Sequence, residues 1–210
     1  FAQLYWGKTY GNHDLLLGTA GRYQMYNDNS AATAKANETL IPSIFVQDSY
    51  ELNKHFSLLG GLRYDYHKDH KSIITPRVAF RYESKKGDIL RLNAGTGFRV
   101  VNLFTEEHAA LSGAREVIVL EDLKPEKSYN VNVNYLKTWM LKENFILQGE
   151  AAAWYTYFTN SIIPDYDSNP NQIIYKNLEG FAETKGISFN IDAVYANNLK
   201  IMIGATLQNV

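Results

Sequence analysis

Apolar residues recur at every second position through long stretches of this chain, a period that belongs to β-strands and not to helices. Residues 55–68 show it most clearly. Phe56, Leu58, Gly60, Leu62, Tyr64 and Tyr66 fall on one face, and His55, Ser57, Arg63, Asp65 and His67 on the other, together with Leu59 and Gly61. Leu90, Leu92, Ala94 and Phe98 oppose Arg91, Asn93 and Arg99; Ile74, Val78, Phe80 and Tyr82 oppose Arg77, Arg81 and Glu83. Leu147, Ala151, Ala153, Tyr155 and Tyr157 oppose Gln148, Glu150 and Thr156, and the same form returns over 187–195 and 199–208. Short turns at Gly11-Asn12, Asn53-Lys54, 85–88, 141–142 and Asn197-Asn198 alternate with longer polar connections at 27–41, 69–73, 101–122 and 160–182. This arithmetic predicts an all-β, antiparallel up-and-down meander of about ten strands.

The runs are longer than the roughly 5–6 residues of a typical soluble strand. Their polar face carries Arg63, Arg77, Arg81, Arg91, Arg99 and Glu150, which a packed interior would bury at high cost. Their apolar face ends in tyrosines: Tyr64 and Tyr66, Tyr155 and Tyr157, Tyr195. An outward apolar band bounded by aromatic girdles around a polar interior describes an outer-membrane β-barrel. The composition agrees, with 15 Tyr, 10 Phe and 3 Trp against only 5 Pro. Asp48 breaks the pattern, because it shares the face of Ile44, Val46, Tyr50 and Leu52; it is expected near the membrane interface.

Other classes are excluded on simple grounds. A hydrophobic share of 45% is too high for intrinsic disorder, and no run approaches the roughly 20 apolar residues of a membrane helix. Lys plus Arg number 21 against 22 Asp plus Glu, which argues against nucleic acid as a partner. Without cysteine there is no disulfide framework and no thiolate metal site. No Gly-x-Ser-x-Gly elbow or phosphate-binding glycine loop is present, and Gly95-Thr96-Gly97 lies inside a strand pattern, so no enzyme is expected.

Several segments resemble one family. Phe45-Val46-Gln47-Asp48-Ser49-Tyr50-Glu51-Leu52, then Gly61-Leu62-Arg63-Tyr64-Asp65-Tyr66, is similar to a hairpin recurrent in TonB-dependent outer-membrane receptors. Leu92-Asn93-Ala94-Gly95-Thr96-Gly97-Phe98-Arg99 with Asn102-Leu103-Phe104 resembles that family's strand into a long outer loop, and Leu123-Lys124-Pro125-Glu126-Lys127-Ser128-Tyr129 the strand that returns. Asn177-Leu178-Glu179-Gly180 before Thr184-Lys185-Gly186-Ile187 resembles a later signature. One departure is Val101, where the family usually has proline. The resemblance implies a barrel of about 22 strands. It also implies a Gram-negative outer membrane and TonB-energised uptake of a ferric siderophore, haem or cobalamin-like nutrient. The chain then reads as an internal barrel segment over 1–210, without the plug domain that would meet TonB and without the terminal strands. Its two edges, near 1–10 and 198–210, are expected to pair or bury their faces between copies. The rivals are a passive porin or adhesive barrel without energy coupling, and a soluble β-rich binding module.

Ligand recognition is expected in the long connections, where periodicity gives way to mixed charge and aromatics. Within 101–122, Glu106, Glu107, His108 and Arg115 stand among apolar residues, with a short helix expected over 105–111. The segment 160–177 reads as a mobile outer loop in which Tyr166 and Tyr175 could stack on an aromatic ligand. Arg99 and the other lumenal arginines either line an anionic ligand's path or simply pair with lumenal acids, as Arg63 would with Asp65. Asp65, His67 and Asp69 alternate with ligand-type side chains that suit Zn or Fe, although the same spacing arises at any hairpin tip; no resident metal or cofactor is assigned.

Overall fold

The computed structural model describes residues 1–26, 37–100, 115–119, 121–142, 144–196 and 198–210. Ten long strands form one antiparallel sheet: β1 (Ala2–Tyr10), β2 (His13–Tyr26), β3 (Asn37–Asn53), β4 (Phe56–His67), β5 (Lys71–Glu83), β6 (Ile89–Arg99), β8 (Glu126–Lys142), β9 (Phe145–Asn160), β12 (Ala182–Tyr195) and β13 (Leu199–Asn209). Each pairs with its neighbour along the chain, and β6 passes to β8 and β9 to β12 across the two long connections. Three short strands, β7 (Glu116–Val119), β10 (Ile162–Asp165) and β11 (Gln172–Asn177), form a separate sheet inside those connections. The meander expected from the alternation is therefore present. The outer loop expected over 160–177 carries secondary structure of its own, β10 and β11 as an antiparallel pair. The connection expected over 69–73 is also shorter, since β4 pairs with β5 up to His67 and Lys71, with Lys71 at φ 60° closing the turn. The helix expected over 105–111 lies outside the described residues.

Burial is inverted relative to a soluble sheet. Along β4 the apolar positions are the exposed ones, and the alternate polar positions become steadily more enclosed toward the loop end. Ile44 is 61% exposed and Ile74 60%, whereas Ser43 and Asp65 on the opposite face are 3% and 1%. Leaving many such side chains in water would cost about 1.5–3 kcal/mol each, so this face is one that lipid covers. The depth of the turn end is marked by Tyr10, Trp139, Phe56 and Tyr82. Lys8 and Lys137 sit on the lipid side one step inward of this belt. Each bends its amino group over the aromatic ring nearer the turns: Lys8 over Tyr10 at 4.4 Å, Lys137 over Trp139 at 5.5 Å. Cationic stems that lie along apolar surface and reach for water behave in this way.

On the inner face, large rings lie over glycines. A Cβ at Gly18 would collide with the Phe45 ring, and one at Gly186 with Trp154 and the Leu207 carbonyl. Two neighbouring strands thus carry a bulky side chain and a vacancy that fits it.

Two ladders of the wall stop short of the loop end. Glu51 donates its amide to Asn12 O (2.8 Å), so even-numbered β3 residues turn their amides toward β4; Pro42 has none to give, and the β3–β4 ladder ends at Ser43 opposite Asp65. Glu83 donates its amide to His55 O (2.7 Å), so odd-numbered β5 residues turn their amides toward β4 and even-numbered ones toward β6. Pro76 is even and has no amide to give. The β5–β6 ladder accordingly ends at Arg77 opposite Gly95, while β6 continues with β8 to Arg99 opposite Glu126. Above Arg77 the wall is split by a seam, and Thr96 Oγ1 beside it is buried without a partner among the described residues.

Candidate functional site

The loop end of the inner face gathers the charged groups. Arg63 donates through Nε to Asp65 (3.0 Å) and through Nη2 to Ser43 Oγ (2.8 Å), and Ser43 donates to Asp65 (2.5 Å). Arg77 meets Gln47, Arg81 meets Glu83, and Arg91 donates to Asn134 Oδ1 at 3.3 Å. These lumenal arginines are thus held by neighbours on the wall, the structural alternative that the sequence left open. A hollow of about 300 Å³ opens between Arg22, Ser43, Arg63 and Asp65 on one side of the seam and Arg99 on the other. Its lining brings three guanidinium groups to one place; Arg63 is paired with Asp65 and Arg99 with Glu126, which leaves one positive charge in excess for an anionic guest.

Arg99 does more than line this hollow. Its Nε donates to Glu126 Oε2 at 2.5 Å, and Glu126 Oε1 accepts from Ser161 Oγ and from the Ile162 amide, both at 3.0 Å. Glu126 is 7% exposed and ties together the top of β6, the start of β8 and the chain entering β10. Sequence reasoning missed it. The only available signal was its place next to Pro125 at the return from a long connection.

Above the wall, the described parts of the two connections that the sequence presents as separate loops share one sheet. β11 lies between β10 and β7, parallel to β7, so residues far apart in sequence share a ladder. Asn177 fastens it: its Oδ1 accepts the Lys124 amide (2.9 Å), its Nδ2 donates to Asp122 O (3.0 Å), and its amide donates to Glu121 (2.7 Å). Asn160 Nδ2 donates to Lys124 O and Pro125 O nearby. Ile173 is fully enclosed, with Leu123 and Ile162 packed against it and Tyr175 beside it.

The candidate ligand residues separate accordingly. Tyr175 is 5% exposed and belongs to this small core, so the ligand-stacking role expected for it gives way to packing. Tyr166 is 45% exposed at the β10–β11 turn, and its carbonyl accepts Arg115 Nη1 at 3.3 Å. The structure therefore brings Arg115 and Tyr166 together. Glu106, Glu107 and His108 lie outside the described residues. Asp165 closes its own turn: it accepts from the Ser168 hydroxyl (2.7 Å) and from the Asp167 and Ser168 amides. Those hydrogen bonds, led by the Ser168 hydroxyl, hold its carboxyl below the ordinary value of 3.8.

The alternating Asp65, His67 and Asp69 do not converge. Asp65 is taken up by Arg63 and Ser43, and His67 Nδ1 accepts the amides of Asp69 (3.2 Å) and His70 (3.3 Å) while its ring stacks on His70. Among the described residues no three His, Asp or Glu side chains are grouped to hold a metal ion.

Comparison with known proteins follows from this architecture. The family model "TonB dependent receptor-like, beta-barrel" matches residues 1–208. The chain belongs to the TonB-dependent receptor family. Receptors of this family are barrels of the Gram-negative outer membrane, which places the apolar face in that membrane and the long connections outside it. A curated relative, the iron-regulated outer membrane virulence protein of Vibrio cholerae serotype O1, is 26% identical over 131 residues, covering 60% of this chain and 20% of the relative. The siderophore receptor PirA from Pseudomonas aeruginosa superposes with a TM-score of 0.71 at 16% identity, covering 98% of this chain and 39% of that one. The ferric enterobactin receptor PfeA gives a TM-score of 0.75 at 17% identity, with 99% and 35% covered. The FrpB iron transporter from Neisseria meningitidis gives 0.69 at 13%, with 98% and 34% covered. This receptor chain thus spans a fifth of the curated relative and little more than a third of the solved structures.

Proposed function

We propose that this chain is part of the barrel wall of a receptor that takes up a ferric siderophore, with energy delivered by TonB through a plug domain elsewhere in the parent protein. The family match over 1–208 carries this reading. It is supported by relatives whose names are those of siderophore receptors and iron-regulated or iron-transporting outer-membrane proteins. The chemistry of the wall agrees with an anionic iron chelate as guest, since Arg22, Arg63 and Arg99 meet at one hollow beneath the loop sheet. In this reading Arg99, Arg115 and Tyr166 contact the ligand, with Glu106, Glu107 and His108 contributing from the same connection. Tyr175 supports them by packing the sheet.

Growth of a strain dependent on the full-length receptor, supplied in turn with defined ferric siderophores, haem and cobalamin under limitation, tests the substrate class. Growth on a ferric siderophore that disappears when TonB is deleted is the expected result. Uptake that survives loss of TonB would mean a passive porin instead. Deleting residues 101–122 should abolish ligand binding while leaving barrel assembly intact.

A further inference from the structure

We infer that the turn end of this wall carries a headgroup site for an anionic phospholipid, formed by Lys54, Lys85 and Lys86. The site is assembled by strand pairing. Lys54 lies in the β3–β4 turn, and Lys85 and Lys86 in the β5–β6 turn, about thirty residues further along the chain. The two tips are held side by side because Glu83 donates its amide to His55 O (2.7 Å) and His55 Nδ1 donates to Glu83 O (2.8 Å). The second tip is itself shaped by Ser84, whose hydroxyl accepts the Lys86 and Asp88 amides, and by Gly87 at φ 82°. That fold leaves Lys85 and Lys86 projecting into the open, as Lys54 does.

Charge and depth then select the guest. Asp88 is the one acid in the two tips, and none of the three lysines makes an ion pair among the described residues. Directly inward, on the lipid side, Phe56 packs with Phe80 (5.8 Å) and Tyr82 (4.8 Å). An aromatic cluster of this kind settles at the membrane–water boundary, which sets the tips among lipid headgroups. Lys8 over Tyr10 and Lys137 over Trp139 mark the same boundary on other strands. A zwitterionic headgroup brings its own ammonium and leaves the excess positive charge unanswered. A headgroup with net negative charge answers it, so phosphatidylglycerol-type lipids of the leaflet at the turn end are the occupant.

The experiment uses the full-length receptor, purified and examined by native mass spectrometry with phosphatidylglycerol and phosphatidylethanolamine competing in equal amounts. The wild-type receptor should retain phosphatidylglycerol in preference, and Lys54→Gln/Lys85→Gln/Lys86→Gln should reduce that preference by about tenfold or more. The triple Arg variant, which keeps the charge, should keep it; Lys127→Gln, at the opposite end, should leave it unchanged. Heat-modifiable migration of each variant confirms that the barrel has assembled. Equal retention of both lipids by the wild type overturns the proposal, as does a preference that the triple Gln variant retains. Inorganic phosphate that binds the same lysines as well as the lipid does, or a periplasmic protein captured through them without lipid preference, overturns it also.

Discussion

His13 Nδ1 donates to Asp48 Oδ2 across 2.7 Å, and the imidazole stacks on Tyr50 with ring centroids 4.4 Å apart. This pair accounts for the acid that stands on the apolar face of β3. β2 and β3 place His13 opposite Tyr50, one step from Asp48 and next to the turn, so the carboxylate has a donor where lipid offers none. Its second oxygen is buried without a partner among the described residues, so His13 is the donor that this carboxylate has.

Replacing His13 with Ala should therefore destabilise the barrel by about 1–2 kcal/mol. His13→Leu combined with Asp48→Leu should restore or exceed wild-type stability, because an apolar pair needs no donor. Urea unfolding in detergent measures both. A single His13 variant as stable as the wild type would remove the pair from the account of Asp48.

Glu126→Gln should loosen the loop sheet from the wall while the barrel assembles normally. The change weakens three hydrogen bonds, one of them to a guanidinium, and each charge-assisted bond contributes about 1.5–3 kcal/mol. Hydrogen exchange at the Ile162 amide should quicken at least tenfold, and exchange in the middle of β9 should not change. Equal protection in the variant would show that other contacts hold the sheet.

Ile173→Ala removes the one fully enclosed aliphatic side chain that the loop sheet has among the described residues. The truncation costs about 2–5 kcal/mol in a core that rests on few other enclosed side chains. Limited trypsin digestion should then cut after Lys176 in the variant and spare the wild type, with heat-modifiable migration of the barrel retained. Resistance at that site would indicate a larger supporting core.

The β10–β11 turn should open under acid. Asp165 has a folded-state pKa below its ordinary value, so it contributes stability that is complete above the unfolded value of about 3.9. That contribution is lost as pH falls through the depressed folded value. Exchange of the Asp167 and Ser168 amides should rise in this acid range for the wild type, whereas Asp165→Asn should flatten the profile. A profile that Asp165→Asn leaves unchanged would exclude the carboxylate as the cause.

The wall was legible in the sequence because most strand positions repeat one physical rule, apolar toward lipid and polar toward the lumen, with Lys8, Asp48 and Lys137 as lipid-side exceptions near the turns. Even the pairing of Arg63 with Asp65 could be read from their shared face. The loop sheet was not legible. Gln172-Ile173-Ile174-Tyr175 is a short apolar run without clean alternation, and its parallel partner Glu116-Val117-Ile118-Val119 lies more than fifty residues earlier. No local pattern announces a ladder between segments so far apart. Tyr175 was misjudged for the same reason, since its burial depends on that pairing. Glu126 gave no periodic signal either; its role comes from where three chain segments happen to meet.

Hydrogen-bonded ladders make a barrel stiff around its circumference, and at Pro42 and Pro76 that circumferential bracing stops. Below Arg77 and Gly95 the wall is a continuous hoop segment. Above the ends of the two interrupted ladders it is three leaves: β2 and β3 carry Arg22, β4 and β5 carry Arg63 and Asp65, and β6 with β8 carries Arg99, Glu126 and the sheet they anchor. The leaves can widen or narrow without breaking a single ladder bond, so two prolines give the mouth an adjustable gape while the membrane-embedded girth stays fixed.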